Sequence, residues 1–188
     1  MRRNYFKKLY NFDKTSNSFA IDVSLDSYND VYDDWDASPF KRRDIEEEFN
    51  DYIVDSSKDI PLKYKISIVL HLPQSKKDEN KESSLKSAYQ NYYGYALERL
   101  SKSFSSLYFE MALYFILSLT FLTVGSFFFK DEKTLLLKVL HEGIFIGGWV
   151  FLWEFFTDIF IKRRKLVEQY KLYKRLYTSE IKFVYFDR

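Results

Sequence analysis

Apolar positions along this chain change period several times, and each change predicts an element. Phe19-Ala20-Ile21-Asp22-Val23-Ser24-Leu25 alternates apolar and polar, the pattern of a half-buried strand. An acidic stretch follows from Asp26 to Asp36, and Ser38-Pro39 then offers a helix start. Ile45, Phe49, Tyr52 and Ile53 recur at helical spacing, with Glu46, Glu47, Glu48 and Asp51 on the other side and Pro61 closing the segment. Tyr64 to Leu72 alternates again and is the clearest strand. Ile66, Ile68, Leu70 and Leu72 face one way, Lys65, Ser67 and His71 the other. Pro73 ends it, and QSKKDENKES (74–83) is a polar loop. From Leu85 the period becomes helical through Tyr89, Tyr92, Ala96, Leu100, Phe104 and Leu107. Leu166, Tyr170, Tyr173 and Tyr177 repeat that spacing near the end, and IKFVYF (181–186) reads as a last short strand.

Two stretches depart from these amphipathic patterns. Leu107 to Phe129 has Glu110 and tyrosines as its only ionisable side chains. Gly143 to Ile161 is nearly as apolar, and Thr134–Leu140 leads into it. About 20 apolar residues span the ~30 Å hydrocarbon core as a helix. Backbone groups in lipid must be satisfied internally, so both stretches are expected to be helical. The opposing reading is a buried hairpin inside a soluble domain, but a chain this short has little material to cover two such helices on all sides. Lys130-Asp131-Glu132-Lys133 suits a charged outer turn. A cleaved leader is not expected, because the apolar runs are internal and the chain starts MRRNYFKK.

The expected fold is thus an α+β membrane protein: a long antiparallel two-helix transmembrane hairpin with a cytoplasmic stalk and a small mixed α/β domain. The implied boundaries are 1–80 for a cytoplasmic module, 81–106 for a stalk helix, 107–129 for the first span and 130–133 for the turn. The second span is 134–161, the returning stalk 162–178, and 179–188 a strand completing the module. Arg99 and Lys102 precede the first span and Lys162-Arg163-Arg164-Lys165 follow the second. This basic load places both termini in the cytoplasm at the inner membrane.

Composition narrows the chemistry. With no cysteine in 188 residues, disulfides, thiolate metal sites and cysteine nucleophiles are excluded. With two histidines, His71 and His141, a multi-histidine metal centre is not expected, and His141-Glu142 lacks the second histidine of the HExxH zinc pattern. No P-loop, GxSxG or dinucleotide fingerprint is present, so neither an enzyme nor a cofactor is expected. Aromatics at 20% are too many for a disordered chain, while the basic start around Arg2, Arg3, Tyr5, Phe6, Lys7 and Lys8 reads as a headgroup-binding arm or a frayed end. The acidic loop with Asp30, Asp33, Asp34 and Asp36 lacks the EF-hand spacing and its glycine, and reads as solvated.

Candidate functional residues concentrate in the second span. Gly143 and Gly147 form GxxxG, with Gly148 beside them, a pattern that lets helices approach closely. At 100° per residue, Gly143, Gly147, Glu154 and Asp158 fall within about 60° of one another. Glu110 of the first span sits at a depth similar to Glu154. An intramembrane carboxylate costs a few kcal/mol, about 2.5–3.5 on insertion scales, unless it is paired, protonated or wet. Lys162 can pair with Asp158 at i+4. Hairpins associating through the glycine face would let Glu110, Glu154 and Asp158 ring a hydrated cation path. Alternatively these acids snorkel to an interface beside the basic residues. Lys162, Arg163, Arg164, Lys165, Lys171, Lys174 and Arg175 make the returning stalk basic, suited to lipid headgroups or to an anionic nucleotide or oligonucleotide regulator stacked on tyrosines.

SPFKRRDIEEEFNDYIV (38–54), LKYKISIVLHLP (62–73) and HEGIFIGGWVFLWEFFTDIF (141–160) resemble a group of small bacterial two-span membrane proteins without assigned function. The likeness covers most of residues 38–178 and implies architecture, but no catalytic residues. In plan only, a soluble module on a two-span hairpin is similar to the membrane effectors of bacterial anti-phage systems. The expected function is an oligomeric, channel-like or membrane-perturbing effector controlled by its cytoplasmic domain. The alternative is a membrane-tethered scaffold that recruits a cytoplasmic protein and moves no solute.

Overall fold

The computed structural model describes residues 5–33, 36, 44–128 and 134–187. The expected helix start at Ser38-Pro39, the arginines at positions 2 and 3, Asp34 and the turn at 130–133 lie outside these residues. The chain divides into two compact units, one formed by Met1–Glu98 with Tyr170–Arg188, the other by Arg99–Gln169.

The first unit is an α+β fold on a four-stranded mixed sheet of order β1-β2-β3-β4. Its strands are β1 (Phe12–Asp13), β2 (Ser18–Ser24), β3 (Lys65–Pro73) and β4 (Glu180–Phe186). β1 and β2 form an antiparallel hairpin. Its turn holds Asn17 at φ 51°, a left-handed conformation that asparagine tolerates better than most residues. β2 and β4 both run parallel to β3. Parallel neighbours require crossovers. Here α2 (Glu47–Asp59) lies between β2 and β3 in the chain, and the long helices lie between β3 and β4.

The alternation in β3 sorts its side chains as expected on one face. Ile66, Ile68, Leu70 and Leu72 are buried with Phe19 and Ile21 of β2, Ile181 of β4, and Phe49 and Ile53 of α2. Leu85, Tyr89 and Tyr93 of α3 (Glu79–Phe128) and Leu172 and Leu176 of α5 (Arg163–Tyr177) complete this core. The other face differs from expectation. Ser67 is buried, accepting a hydrogen bond from the Ser18 hydroxyl at 3.2 Å, and Val69 is buried beside it. Lys65 stays exposed as expected, and His71 is half-exposed, 2.8 Å from Asp22. The β1–β2 turn accounts for this. It supplies Asp13 and Ser16 to Lys182 and Ser18 to Ser67, roofing a face that the sequence pattern leaves open.

Other local differences have similar causes. Ile45 does not begin a helix; it makes an isolated antiparallel bridge to Tyr32. α2 starts after Glu46, whose carboxylate caps the Phe49 N–H at 2.9 Å. Tyr52 is half-exposed, donating to the Asp22 carbonyl at 3.1 Å. Within the acidic loop, Tyr28–Val31 form a 3-10 turn with a reciprocal Ser27/Asp30 capping box, burying Tyr28 and Val31. The basic start contains α1 (Phe6–Leu9), anchored by Phe6 edge-on to Phe19 at 5.2 Å. That contact makes Phe6 part of the core.

The second unit is helical. It contains α3 from Arg99 onward, α4 (Leu135–Thr157), a π-helical turn (Asp158–Lys162) and the first half of α5. Two helical runs, Glu79–Phe127 and Leu135–Tyr177, are long and apolar enough to cross a membrane. α3 and α4 pack antiparallel. Phe115 meets Phe155 at 5.1 Å, Phe121 meets Phe151 at 5.4 Å, and Leu122 lies against Gly148. In each run only 11% of the most apolar window is buried, whereas the core helix of a soluble domain is mostly buried.

Candidate functional site

The hairpin's polar groups gather where α4 gives way to the π turn. Asp158 opens that turn and is fully buried, with Lys162 Nζ 2.7 Å from its Oδ1. The pair matches the i+4 spacing in the sequence. The two form an ion pair, and neither carboxylate oxygen gains another partner among the described residues. Lys162 also lies within electrostatic range of Glu110 and Tyr114. A π turn is uncommon in an α-helix and often accompanies a functional site. Just before it, the Thr157 hydroxyl donates back to the Trp153 carbonyl at 3.0 Å, a bond that loosens the local ladder.

The other two acids are placed differently. Glu110 is half-buried and accepts a long hydrogen bond from the Ser106 hydroxyl at 3.5 Å. Glu154 is half-buried with no ion pair or hydrogen bond among the described residues. Thus Asp158 faces the partner helix with a cation in place, while Glu154 lies on the flank.

The glycines divide in the same way. A Cβ on Gly148 would come within 2.8 Å of the Leu122 side chain and 3.1 Å of its backbone nitrogen. A Cβ on Gly147 would sit 3.1 Å from the Phe121 ring. Within one chain both therefore lie against α3. Gly143 alone of the three has nothing within 4 Å.

Six of the seven basic residues remain at the surface. Lys162, Arg163, Arg164 and Lys165 are exposed, as are Lys171 and Lys174. Arg163 Nε donates to the Tyr108 hydroxyl at 3.3 Å and Arg164 pairs with Glu168 at 3.0 Å. Arg175 is placed differently. Its guanidinium turns into the first unit and donates to the carbonyls of Ser57, Ile60 and Pro61 and to the Ser57 hydroxyl. It closes the C-terminus of α2, where unsatisfied carbonyls favour a cation, and is not part of the exposed basic patch.

Sequence reading missed Tyr108, Tyr114 and Ser118. Ser118 is fully buried, and its hydroxyl has no hydrogen-bond partner among the described residues. A signal existed: Glu110, Tyr114 and Ser118 recur at i, i+4 and i+8, a polar stripe inside an apolar run. Elsewhere in the hairpin, the His141 ring packs edge-on to Phe145, and Glu142 is exposed. Among the described residues no cluster of His, Asp and Glu could hold a metal ion. Comparison with protein-family models, curated proteins and solved structures finds no match to this chain.

Proposed function

We propose that the protein resides in the inner membrane with both termini cytoplasmic. In this reading it is a channel-like effector whose hairpins assemble into a homo-oligomer under control of the α+β unit. Support for lipid as the surrounding medium comes from side chains such as Trp153, 73% exposed, and Phe109, 71% exposed, on helices long enough to span the bilayer. At 23 residues, α4 is about 35 Å long, enough for the ~30 Å core.

The observation that carries the conduction reading is Glu154. It lies roughly 10 Å before the end of the second span and has no partner among the described residues. A carboxylate at that depth needs water or a neighbouring copy. Gly143, on the same flank and open, leaves room for close approach of that copy. Repeated around an axis, Glu154 would line a cation path, and the basic stalk residues would rest on anionic headgroups. The test is cation flux in liposomes holding purified protein. Glu154→Gln is expected to reduce flux at least tenfold, whereas Asp158→Asn acts through helix packing and lowers stability as well. Flux unchanged in Glu154→Gln removes the ring.

A second reading is a membrane-tethered scaffold that recruits a cytoplasmic protein. It is favoured by the internal neutralisation of Asp158 by Lys162 and by the use of Gly147 and Gly148 within one chain. A monomeric detergent-solubilised protein would select it.

A further inference from the structure

We propose that the α+β unit binds a small phosphate-bearing ligand in the cavity where the parallel strands begin. The cavity, about 320 Å³, lies at the starts of β2, β3 and β4, and Arg175, Lys65, Ser16, Ser18, Thr178 and Ser179 line it. All of these residues belong to one unit, so the inference does not depend on the membrane reading.

The charge balance gives the ligand its sign. Every hydrogen bond made by the Arg175 guanidinium goes to a neutral oxygen, three carbonyls and one hydroxyl. Its Nε–H is buried without a partner among the described residues. Burial lowers its pKa to about 10, so it stays a cation at neutral pH, and no carboxylate among the described residues offsets its charge. Half-buried, the cation is met by the partial charges of the α2 carbonyls and by no full negative charge, so an anion in the adjoining cavity complements it. Lys65 on the same wall is exposed and without an ion pair among the described residues. Glu180, the cavity's acid, is drawn towards Lys182 at 3.6 Å.

The lining gives the ligand its class. Besides the two cations it offers four hydroxyls, and Ile66 is its apolar wall. Ser16, Ser18 and Ser179 already donate to Asp13, Ser67 and the Leu176 carbonyl at 2.8, 3.2 and 2.7 Å, so the donor that can be redirected is Thr178. The Thr178 hydroxyl shares its proton between the Lys174 and Arg175 carbonyls at 3.0 and 3.3 Å, and can turn it to a stronger acceptor. Two cations and one hydroxyl that can turn suit a tetrahedral oxyanion with several acceptor oxygens. It offers no aromatic surface for a base, and its volume is near the small end of ligand sites. The ligand class is thus a phosphate or phosphomonoester held beside Arg175.

The experiment is a titration of the full chain in detergent micelles with inorganic phosphate at constant ionic strength, chloride serving as control. Thermal unfolding and phosphorus NMR line width provide the readouts. Wild type is expected to show saturable stabilisation by phosphate. Lys65→Gln, at an exposed position that leaves folding intact, weakens apparent affinity at least tenfold. Thr178→Val weakens it severalfold, and Lys63→Gln, outside the cavity, leaves it unchanged. Arg175→Lys also disturbs the end of α2, so Lys65 and Thr178 carry the decision. Competition by glycerol 3-phosphate indicates a soluble monoester, competition by short-chain phosphatidic acid a lipid headgroup, and competition by neither the free ion. Absence of a saturable response in wild type, or an equal response in Lys65→Gln and Lys63→Gln, overturns the assignment.

Discussion

Ile68 and Ile116 have the same side chain and sit in different units, one 0% exposed and the other 59%. In the α+β unit, apolar residues surround one another. Ile68 meets a core supplied by the sheet, α2, α3 and α5. In the hairpin, each helix has one neighbour and turns most of its apolar surface outward, with Leu135 80% and Phe127 69% exposed. Burying one such side chain is worth about 1.5–3 kcal/mol, and a whole domain is stable by only about 5–15 kcal/mol. Leaving many of them in water would be costly, and the proposed lipid surroundings would remove that cost. The largest expected effect follows. The full chain should sediment with membranes after ultracentrifugation of lysed cells, resist carbonate extraction and enter solution with detergent. Recovery in the detergent-free supernatant would break the contrast at once.

Point substitutions sharpen it. Ile68→Ala should cost about 2–5 kcal/mol in the unfolding of the α+β unit, because it removes a fully enclosed side chain. Ile116→Ala should shift unfolding in micelles by less than about 0.5 kcal/mol, as a substitution that leaves no cavity. Chemical denaturation of both variants in the same detergent measures the ratio. Similar losses at the two sites would mean that Ile116 is enclosed by protein.

Within the hairpin, the glycines provide a smaller and more local test. Gly148→Ala places a methyl 2.8 Å from Leu122 Cγ and 3.1 Å from a backbone nitrogen that cannot retreat, so a loss of about 1–3 kcal/mol is expected. Gly143→Ala meets nothing within 4 Å in one chain and should be neutral, or stabilising by up to about 1 kcal/mol through helix propensity. Thermal melts in micelles read both. If Gly143→Ala also lowers the mass of the solubilised particle, Gly143 belongs to a contact between copies, and the conduction proposal gains its interface.

These positions also explain what the sequence made legible. Strong periodicity carried through: β2 and β3 lie where alternation placed them, β4 where the last short run was read as a strand, and the described parts of the apolar runs are helical. The i+4 rule gave Asp158 to Lys162 because both partners lie on one helix. Features set by a distant segment were not legible. β1 is two residues long, too short for a period, and exists because β2 offers it an edge. Arg175 looks like any stalk cation until α2 ends beside it. Gly147 and Gly148 could not be told from Gly143 as contacts, since only the register of α3 against α4 decides which glycine is filled. The π turn leaves no mark in hydropathy, because it changes hydrogen bonding and not composition.

The smallest expected effect concerns the roof over the second sheet face, where the α+β unit uses charge and not apolar burial. Lys182 Nζ lies 2.6 Å from Asp13, and the Ser16 hydroxyl and Thr15 N–H, both at 2.8 Å, also donate to that carboxylate. Lys182 first, then Ser16 and Thr15, hold the Asp13 pKa well below the ordinary carboxylate range. A group depressed on folding stabilises the fold above its unfolded pKa, about 3.9, and that stabilisation drains away as pH falls towards the folded value. Neutral and mildly acidic solutions should therefore leave the contribution intact, with the loss confined below about pH 4. Both side chains remain about one-third exposed, 31% and 32%, so solvent screening keeps the effect modest. Asp13→Asn should flatten the acid limb of the stability curve below pH 4 without moving the neutral plateau by as much as Ile68→Ala does. An acid limb identical in wild type and Asp13→Asn would mean that the roof is held by the β1–β2 backbone pairing alone.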